Sequence, residues 1–231
     1  MELTAAWEAF APGSALPHGA AVESLGQVGR VEAAGKDIWF SVSGAGSPWT
    51  QSRMHLGLAG IRPSAVLQVG LAGAYDGSGL NIGDSVLGTS ECFGDIGVEW
   101  PSETDPNKAI FRPLGDMAWA HPLQKESLVL TPWPALIREG MPELKTGAGV
   151  TVNCVTGSES MAAFRRELWR GDFETMEGAG CALACHAASV PCLQLRTISN
   201  RVGARDMRPD DFRSALHSLT RTLSRMERLW R

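Results

Sequence analysis

Apolar runs of strand length alternate with longer stretches whose apolar residues recur every three or four positions, and the alternation continues along the whole chain. This is the pattern of an α/β protein with a largely parallel sheet. The short runs predict strands over 38–42, 65–69, 84–89, 149–155 and 192–199. Helices are predicted near 49–58 and 158–169, the second opening with Ser158 and Glu159, which suit a cap and the positive end of a helix. The clearest helix starts at Asp210. From there Phe212, Ala215, Leu216, Leu219, Leu223, Met226 and Trp230 recur at spacings of three or four while arginines fill the opposite face, as in a covering helix. Residues 173–200 read as a small-residue helix running into a strand. Residues 99–125 contain four prolines and little periodicity, so they predict an irregular binding loop or lid.

Composition narrows the class. At 231 residues, 44% hydrophobic and 20% charged, the chain can bury one large core, and a single domain spanning 1–231 is the economical expectation. A net charge of −4 without a dense Lys/Arg run argues against a nucleic-acid or membrane-surface partner. The start, MELTAAWEAFAPG, has no basic region followed by an apolar run, and no stretch reaches membrane-span length, so a cytoplasmic protein acting on small molecules is expected. Five cysteines, an odd number without a CxxC, fit reduced thiols. Cys181, Cys185 and His186 can be drawn as a metal cluster, but small buried side chains on a packed helix are the better reading. No metal or cofactor is expected.

Chemistry enters with the stretch FETMEGAGCALACHAASVPCLQLRTISN, where a carboxylate, Glu177, opens the most apolar part of the chain. A buried carboxylate costs several kcal/mol, on the order given for unpaired charge, unless something specific meets it. At a helix start, free backbone N–H groups and a positive dipole favour such a charge. Earlier, VGLAGAYDGSGLNIG places a glycine-rich turn directly after a buried strand, where backbone can approach a ligand closely. It lacks G-x-G-x-x-G in the dinucleotide position, and no GxxxxGK[ST] occurs anywhere, so NAD and ATP readings lose support.

The ordered set GLAGAYDGSGLNIGDSVL, ECFGDIG, GVTVNCVTGSE, ETMEGAG and PCLQLRTISN resembles the purine nucleoside phosphorylase and nucleosidase superfamily. Within it, the set looks most like the hydrolases of futalosine, a hypoxanthine nucleoside of an alternative menaquinone pathway. The resemblance implies a three-layer α/β fold with a twisted mixed central sheet flanked by helices. It also implies a homodimer or higher oligomer and cleavage of a purine nucleoside's N-glycosidic bond. Glu177 then binds the ribose 2′- and 3′-hydroxyls, a task suited to an acceptor-only side chain. Asn200 stands where adenosine-type relatives carry aspartate. Its amide can donate to O6 of a 6-oxopurine and accept from N7–H of the departing base, so hypoxanthine is the implied leaving group.

Further roles follow from the resemblance alone. Glu8, just after a short first strand in MELTAA, takes the place of the general base, with Glu23 and Glu32 as alternatives. Arg196 helps hold water and hydroxyls. Main-chain groups of Val155 meet the base, Cys154 replaces an aromatic stacking residue, and Ala72 and Gly73 flank the sugar. Thr175, Met176 and Ser199 complete the substrate contacts. Arg112, Trp119 and His121 are eligible to receive the 5′ carboxybenzoyl arm. The rivals are a methylthioadenosine/S-adenosylhomocysteine-type nucleosidase, a phosphate-dependent phosphorylase and a non-catalytic nucleoside-binding protein. Leu71 in place of a serine, with no arginine beside it, favours water over phosphate as nucleophile.

Overall fold

The computed structural model describes residues 2, 6, 9–10, 26–33, 35–105, 109–120, 127–203 and 208–230. Its centre is a six-stranded mixed sheet in the order β10-β3-β9-β8-β4-β7. The strands are β3 (Val66–Ala74), β4 (Ser85–Phe93), β7 (Leu128–Val129), β8 (Lys145–Thr151), β9 (Phe173–Thr175) and β10 (Cys192–Arg201). Because β10 also pairs with β4, five of these strands close a ring. β10 runs parallel to β3, and β8 parallel to both β4 and β9, whereas β3–β9, β10–β4 and β4–β7 are antiparallel. The sheet is therefore mixed, and less parallel than the alternation of runs predicts.

Helices cover both sides. α1 (Ser47–Ile61) and α4 (Gly178–Ala187) pack together over one face, where Leu58, Leu128, Leu130 and the small residues of α4 form one core cluster. α5 (Pro209–Trp230) and α2 (Ala135–Gly140) cover the other. Ala215, Leu219, Leu223 and Met226 of the predicted stripe are completely buried there against Leu87, Leu195, Ile137 and Met141. Each large side chain so buried contributes about 1.5–3 kcal/mol. α3 (Glu159–Trp169) is capped by Ser158, whose hydroxyl accepts the Met161 N–H, as its sequence predicts. No helix among the described residues is long and apolar enough to cross a membrane.

Three sequence expectations need correction. Residues 2, 6, 9 and 10 are helical rather than part of a first strand, and Ala6, Ala9 and Phe10 belong to the core cluster against which Leu67, Val69 and Leu71 of β3 pack. An alanine-rich segment with apolar residues at 6, 9 and 10 satisfies a helical face better than an alternating one. The 99–125 excursion holds a hairpin of β5 (Gly97–Pro101) and β6 (Ala109–Pro113), with prolines at the strand ends where no ladder N–H is lost. A second hairpin, β1 (Gly26–Ala33) with β2 (Lys36–Val42), precedes α1.

The strand predicted over 149–155 stops at Thr151, and the remainder forms a turn at the site. Conversely β3 runs five residues beyond its predicted end, through the glycine-rich stretch to Ala74. β3 and β9 meet head-on and overlap by only two residues, Gly73↔Glu174 and Ala74↔Phe173. The carboxyl ends of β3, β8, β9 and β10 thus converge on one place.

Candidate active site

At that convergence, the chain leaves β9 through Met176 and enters α4 with Glu177 as its N-cap residue. The Glu177 side chain makes no capping bond. Instead it pairs with Arg196, whose Nη1 lies 3.3 Å from Oε2 and 3.4 Å from the Leu71 carbonyl oxygen. The arginine is 2% exposed at its side chain and the carboxylate 20%. Arg196 therefore anchors Glu177 from below while the carboxylate keeps a solvent-facing side. Arg196 fits because its neighbour across the ladder is Gly70, where a Cβ would stand 2.5 Å from Nη1. Nε and Nη2 of Arg196 are buried and have no hydrogen-bond partner among the described residues.

The expected contact between Glu177 and free helix N–H groups is replaced by another arrangement. The Gly178 N–H donates to the Thr175 hydroxyl (3.2 Å) and the Ala179 N–H to the Thr151 hydroxyl (2.7 Å). Both hydroxyls in turn reach the fully buried carboxylate of Glu91 on β4, Thr151 at 2.8 Å and Thr175 at 3.4 Å. Gln194 Nε2 donates to the same carboxylate at 2.8 Å. Burial pushes the Glu91 carboxyl up to about 7, against the opposing pull of those hydrogen bonds and of the Arg196 charge.

Four residues beyond Arg196, the strand carries Asn200 to the same end of β3. A register shift between Ile198 and Asn200 inserts Ser199 as an extra residue, bending the strand tip. Asn200 Oδ1 accepts from Ser199 at 2.9 Å, its Nδ2 donates to the Arg201 carbonyl at 2.8 Å, and the side chain lies over Gly73. One amide N–H and one lone pair of the carbonyl are left over by these bonds. The Ser199 hydroxyl also approaches the Ala72 carbonyl at 3.3 Å, tying the tip of β10 to the end of β3.

The turn after β8 is the third wall. Asp95 of the ECFGDIG stretch accepts the N–H groups of Asn153 and Cys154, and Asn153 Oδ1 accepts from Ser47. On its other side Glu174 accepts the Thr156 N–H (3.0 Å) and hydroxyl (2.5 Å), as well as the Tyr75 hydroxyl (2.9 Å). Arg165 bridges the Cys154 carbonyl and Thr156. Burial, followed by the adjacent Glu174 carboxylate, pushes the Tyr75 hydroxyl well above the usual phenol range. Val155 is left exposed at the crest of a turn pinned from both flanks.

The structure thus brings together Ala72, Gly73, Val155, Thr175, Met176, Glu177, Arg196, Ser199 and Asn200, with exposed Cys154 beside them. Glu8, Glu23 and His121 lie outside the described residues. Glu32 is exposed on the β1–β2 hairpin, Arg112 lies exposed on β6, and Trp119 is 70% exposed. Arg196 reaches the Leu71 carbonyl through space, which corrects the reading that no arginine lies beside that turn. It is already committed to Glu177. Cys181 and Cys185 meet Cys192 rather than the exposed His186, their sulfurs all within 4.8 Å of one another in the apolar cluster under α4. Sequence reasoning missed Glu91, Glu174 and Gln194. Each sits in a strand that carries other polar residues, so no pattern within its strand set it apart.

Converging strand ends that carry an arginine-anchored carboxylate define a class as well as a site. The chain belongs to the phosphorylase superfamily, whose family model matches residues 2–230. It is 35% identical over 165 residues to futalosine hydrolase of Thermus thermophilus, covering 69% of this chain and 68% of that protein. Over 190 residues it is 31% identical to futalosine hydrolase of Acidothermus cellulolyticus, covering 82% and 75% respectively. The native structure of futalosine hydrolase from Helicobacter pylori superposes with a TM-score of 0.66 at 20% identity, covering 99% of this chain and 92% of that one.

Proposed function

We propose that the chain hydrolyses the N-glycosidic bond of futalosine, releasing hypoxanthine and dehypoxanthinyl futalosine. The observation that carries this reading is the ion pair of Glu177 with buried Arg196, on the strand whose tip also carries Asn200. The partly exposed carboxylate offers acceptors to two vicinal ribose hydroxyls, and Arg196 holds it against rotation. The unpartnered Nε and Nη2 of Arg196 supply donors for a sugar hydroxyl or the attacking water. Ala72 and Gly73 let the sugar approach the backbone closely. Thr175 and Met176 lead into Glu177, and Cys154 and Val155 border the base.

Asn200 acts on the leaving group. Its remaining N–H donates to O6, and its remaining lone pair accepts from N7–H once the base is protonated there. That second contact strengthens as the bond breaks, so it lowers the barrier rather than merely tightening binding. Glu8 is the proposed general base, a role worth about 10²–10⁴-fold. A purine nucleoside is the small-molecule partner, and the reading extends to one domain over 1–231, a homodimer or larger homo-oligomer, and a cytoplasmic location.

Chromatography of products from futalosine, inosine and methylthioadenosine offered side by side, with and without phosphate, tests the proposal. Hypoxanthine released from futalosine at a rate independent of phosphate is expected. Phosphate dependence would transfer the chain to the phosphorylases. Asn200→Asp is expected to move relative kcat/KM toward 6-aminopurine nucleosides by about 10- to 100-fold, the effect of one or two re-paired hydrogen bonds. Competition kinetics of futalosine against methylthioadenosine measure it, and an unchanged ratio would detach Asn200 from base recognition.

A further inference from the structure

Glu91 lies inside the ring of strands, beneath the first turn of α4. Its pairing partner on β8 is Gly149, and a Cβ at Gly149 or at Gly178 would overlap the Glu91 carboxylate. Gly88 on the same strand has no room either, since Gln194 occupies the space a side chain would need. Glycines at 88, 149 and 178 thus make the chamber for one buried carboxylate and one amide. A charged side chain in such a place is costly unless it has a task.

The bonds leaving the carboxylate identify the task. Thr151 and Thr175 each accept a helix N–H with their oxygen, and both hydroxyls reach Glu91. Two of the unsatisfied N–H groups at the start of α4 are thereby connected through hydroxyl relays to a negative charge. The helix end is satisfied from below, which leaves Glu177 free of capping and available to Arg196 and to a ligand.

We propose that Glu91 is a positioning residue of the active site, holding the first turn of α4, and with it Glu177, through the Thr151 and Thr175 hydroxyls. The proposal rests on the reading of Glu177 as the ribose-binding carboxylate. Glu91 touches no substrate. It fixes where the carboxylate that does so stands.

The surroundings allow the group to carry a proton as well. Gln194 Nε2 donates to Glu91 and, at 3.2 Å, to Gln68 Oε1, while Gln194 Oε1 is buried without a partner among the described residues. Turning that amide over gives a protonated Glu91 an acceptor for its O–H. The ionisable groups that face Glu91 are Arg196 and Cys192 from β10 and Cys92 on its own strand. Both thiols are themselves pushed up.

In the folded protein the carboxyl is held at about 7, above its ordinary value of 4.5. The native state therefore binds more protons than the unfolded one between those values. The stability tied to this proton is fully present below about 4.5 and is lost as pH rises through about 7.

The test uses the whole chain with Glu91→Leu, Glu91→Gln and Thr175→Val. Amide exchange at Gly178 and Ala179 reads positioning directly, and futalosine kinetics read its consequence. Glu91→Leu is expected to speed exchange at those amides at least tenfold and to raise KM about tenfold, since a small misplacement of a binding group is costly. Glu91→Gln, which keeps the shape and an acceptor, restores most of both and removes the difference in melting temperature between pH 5 and pH 8 that belongs to Glu91. Thr175→Val cuts one relay without disturbing the carboxylate and should reproduce part of the exchange increase, which decides the matter if Glu91→Leu does not fold. Wild-type exchange at Gly178 and Ala179 in the folded variants overturns the proposal. So does a KM unchanged in Glu91→Leu while wild type turns over. A wild-type enzyme that leaves both futalosine and inosine intact overturns the hydrolase reading instead, and the exchange rates still decide the role of Glu91.

Discussion

Glu177→Gln is expected to lower kcat/KM toward futalosine by about 10²- to 10⁴-fold. The carboxylate accepts from two ribose hydroxyls at once, and a hydrogen bond to a charged group is worth about 1.5–3 kcal/mol. Losing both therefore removes about 3–6 kcal/mol, and each 1.4 kcal/mol is about tenfold. Glutamine keeps the volume and one acceptor for Arg196 Nη1, 3.3 Å away in the wild type, so the fold should survive. It cannot neutralise a guanidinium whose side chain is 2% exposed, so some loss of melting temperature accompanies the kinetic defect. Steady-state kinetics beside thermal denaturation separate the two effects. A variant within about fivefold of wild-type kcat/KM would take Glu177 out of the sugar site and remove the main support for a nucleosidase.

What the sequence made legible followed the physics of period and terminus. The α5 stripe was readable because Ala215, Leu219, Leu223 and Met226 answer to one apolar face, and the Ser158 cap because a hydroxyl before a helix has one obvious use. The site was readable where residue types are chemically committed, as with Glu177, Arg196 and Asn200 on two neighbouring elements. The end of β3 was not, because Gly70 and Gly73 look like turn residues. They lie within the strand since the side chains of Arg196 and Asn200 from β10 occupy the space above them. β9 has three residues, too few to show a period.

Glu91 and Glu174 were hidden for a different reason. A carboxylate within a strand suggests a solvated edge, but the ring of strands encloses Glu91, while Tyr75, Thr156 and Arg165 cover Glu174 on the opposite face of β9. Glu174 holds the turn after β8 through Thr156, while Glu91 holds the start of α4 through Thr151 and Thr175. Each visible binding element has a buried carboxylate behind it. Together they hold the start of α4 and the turn after β8 from buried side chains.

Gly178→Ala tests that arrangement most severely. A Cβ at this position would overlap Glu91 Oε1 and lie 2.7 Å from Gln194 Nε2, so either the carboxylate or the helix must move. Overpacking a filled core costs about 1–3 kcal/mol, and more where polar groups lose partners. With about 2–4 °C per kcal/mol for a chain of this size, a fall in melting temperature on the order of 5–12 °C is expected. Moving the helix start also displaces Glu177, so kcat/KM should fall by about 10²-fold.

Gly57→Ala is the matched control. That glycine lies within α1 with nothing within 4 Å of an added Cβ, and alanine there should stabilise the protein by about 0.5–1 kcal/mol. Adding Glu91→Ser to Gly178→Ala frees the volume the methyl needs without returning the carboxylate. It is expected to recover melting temperature but not activity, because the Thr151 and Thr175 hydroxyls no longer have their anion. Recovery of both would mean that Glu91 fills space and does nothing more, whereas recovery of stability alone separates packing at this helix start from the positioning of Glu177.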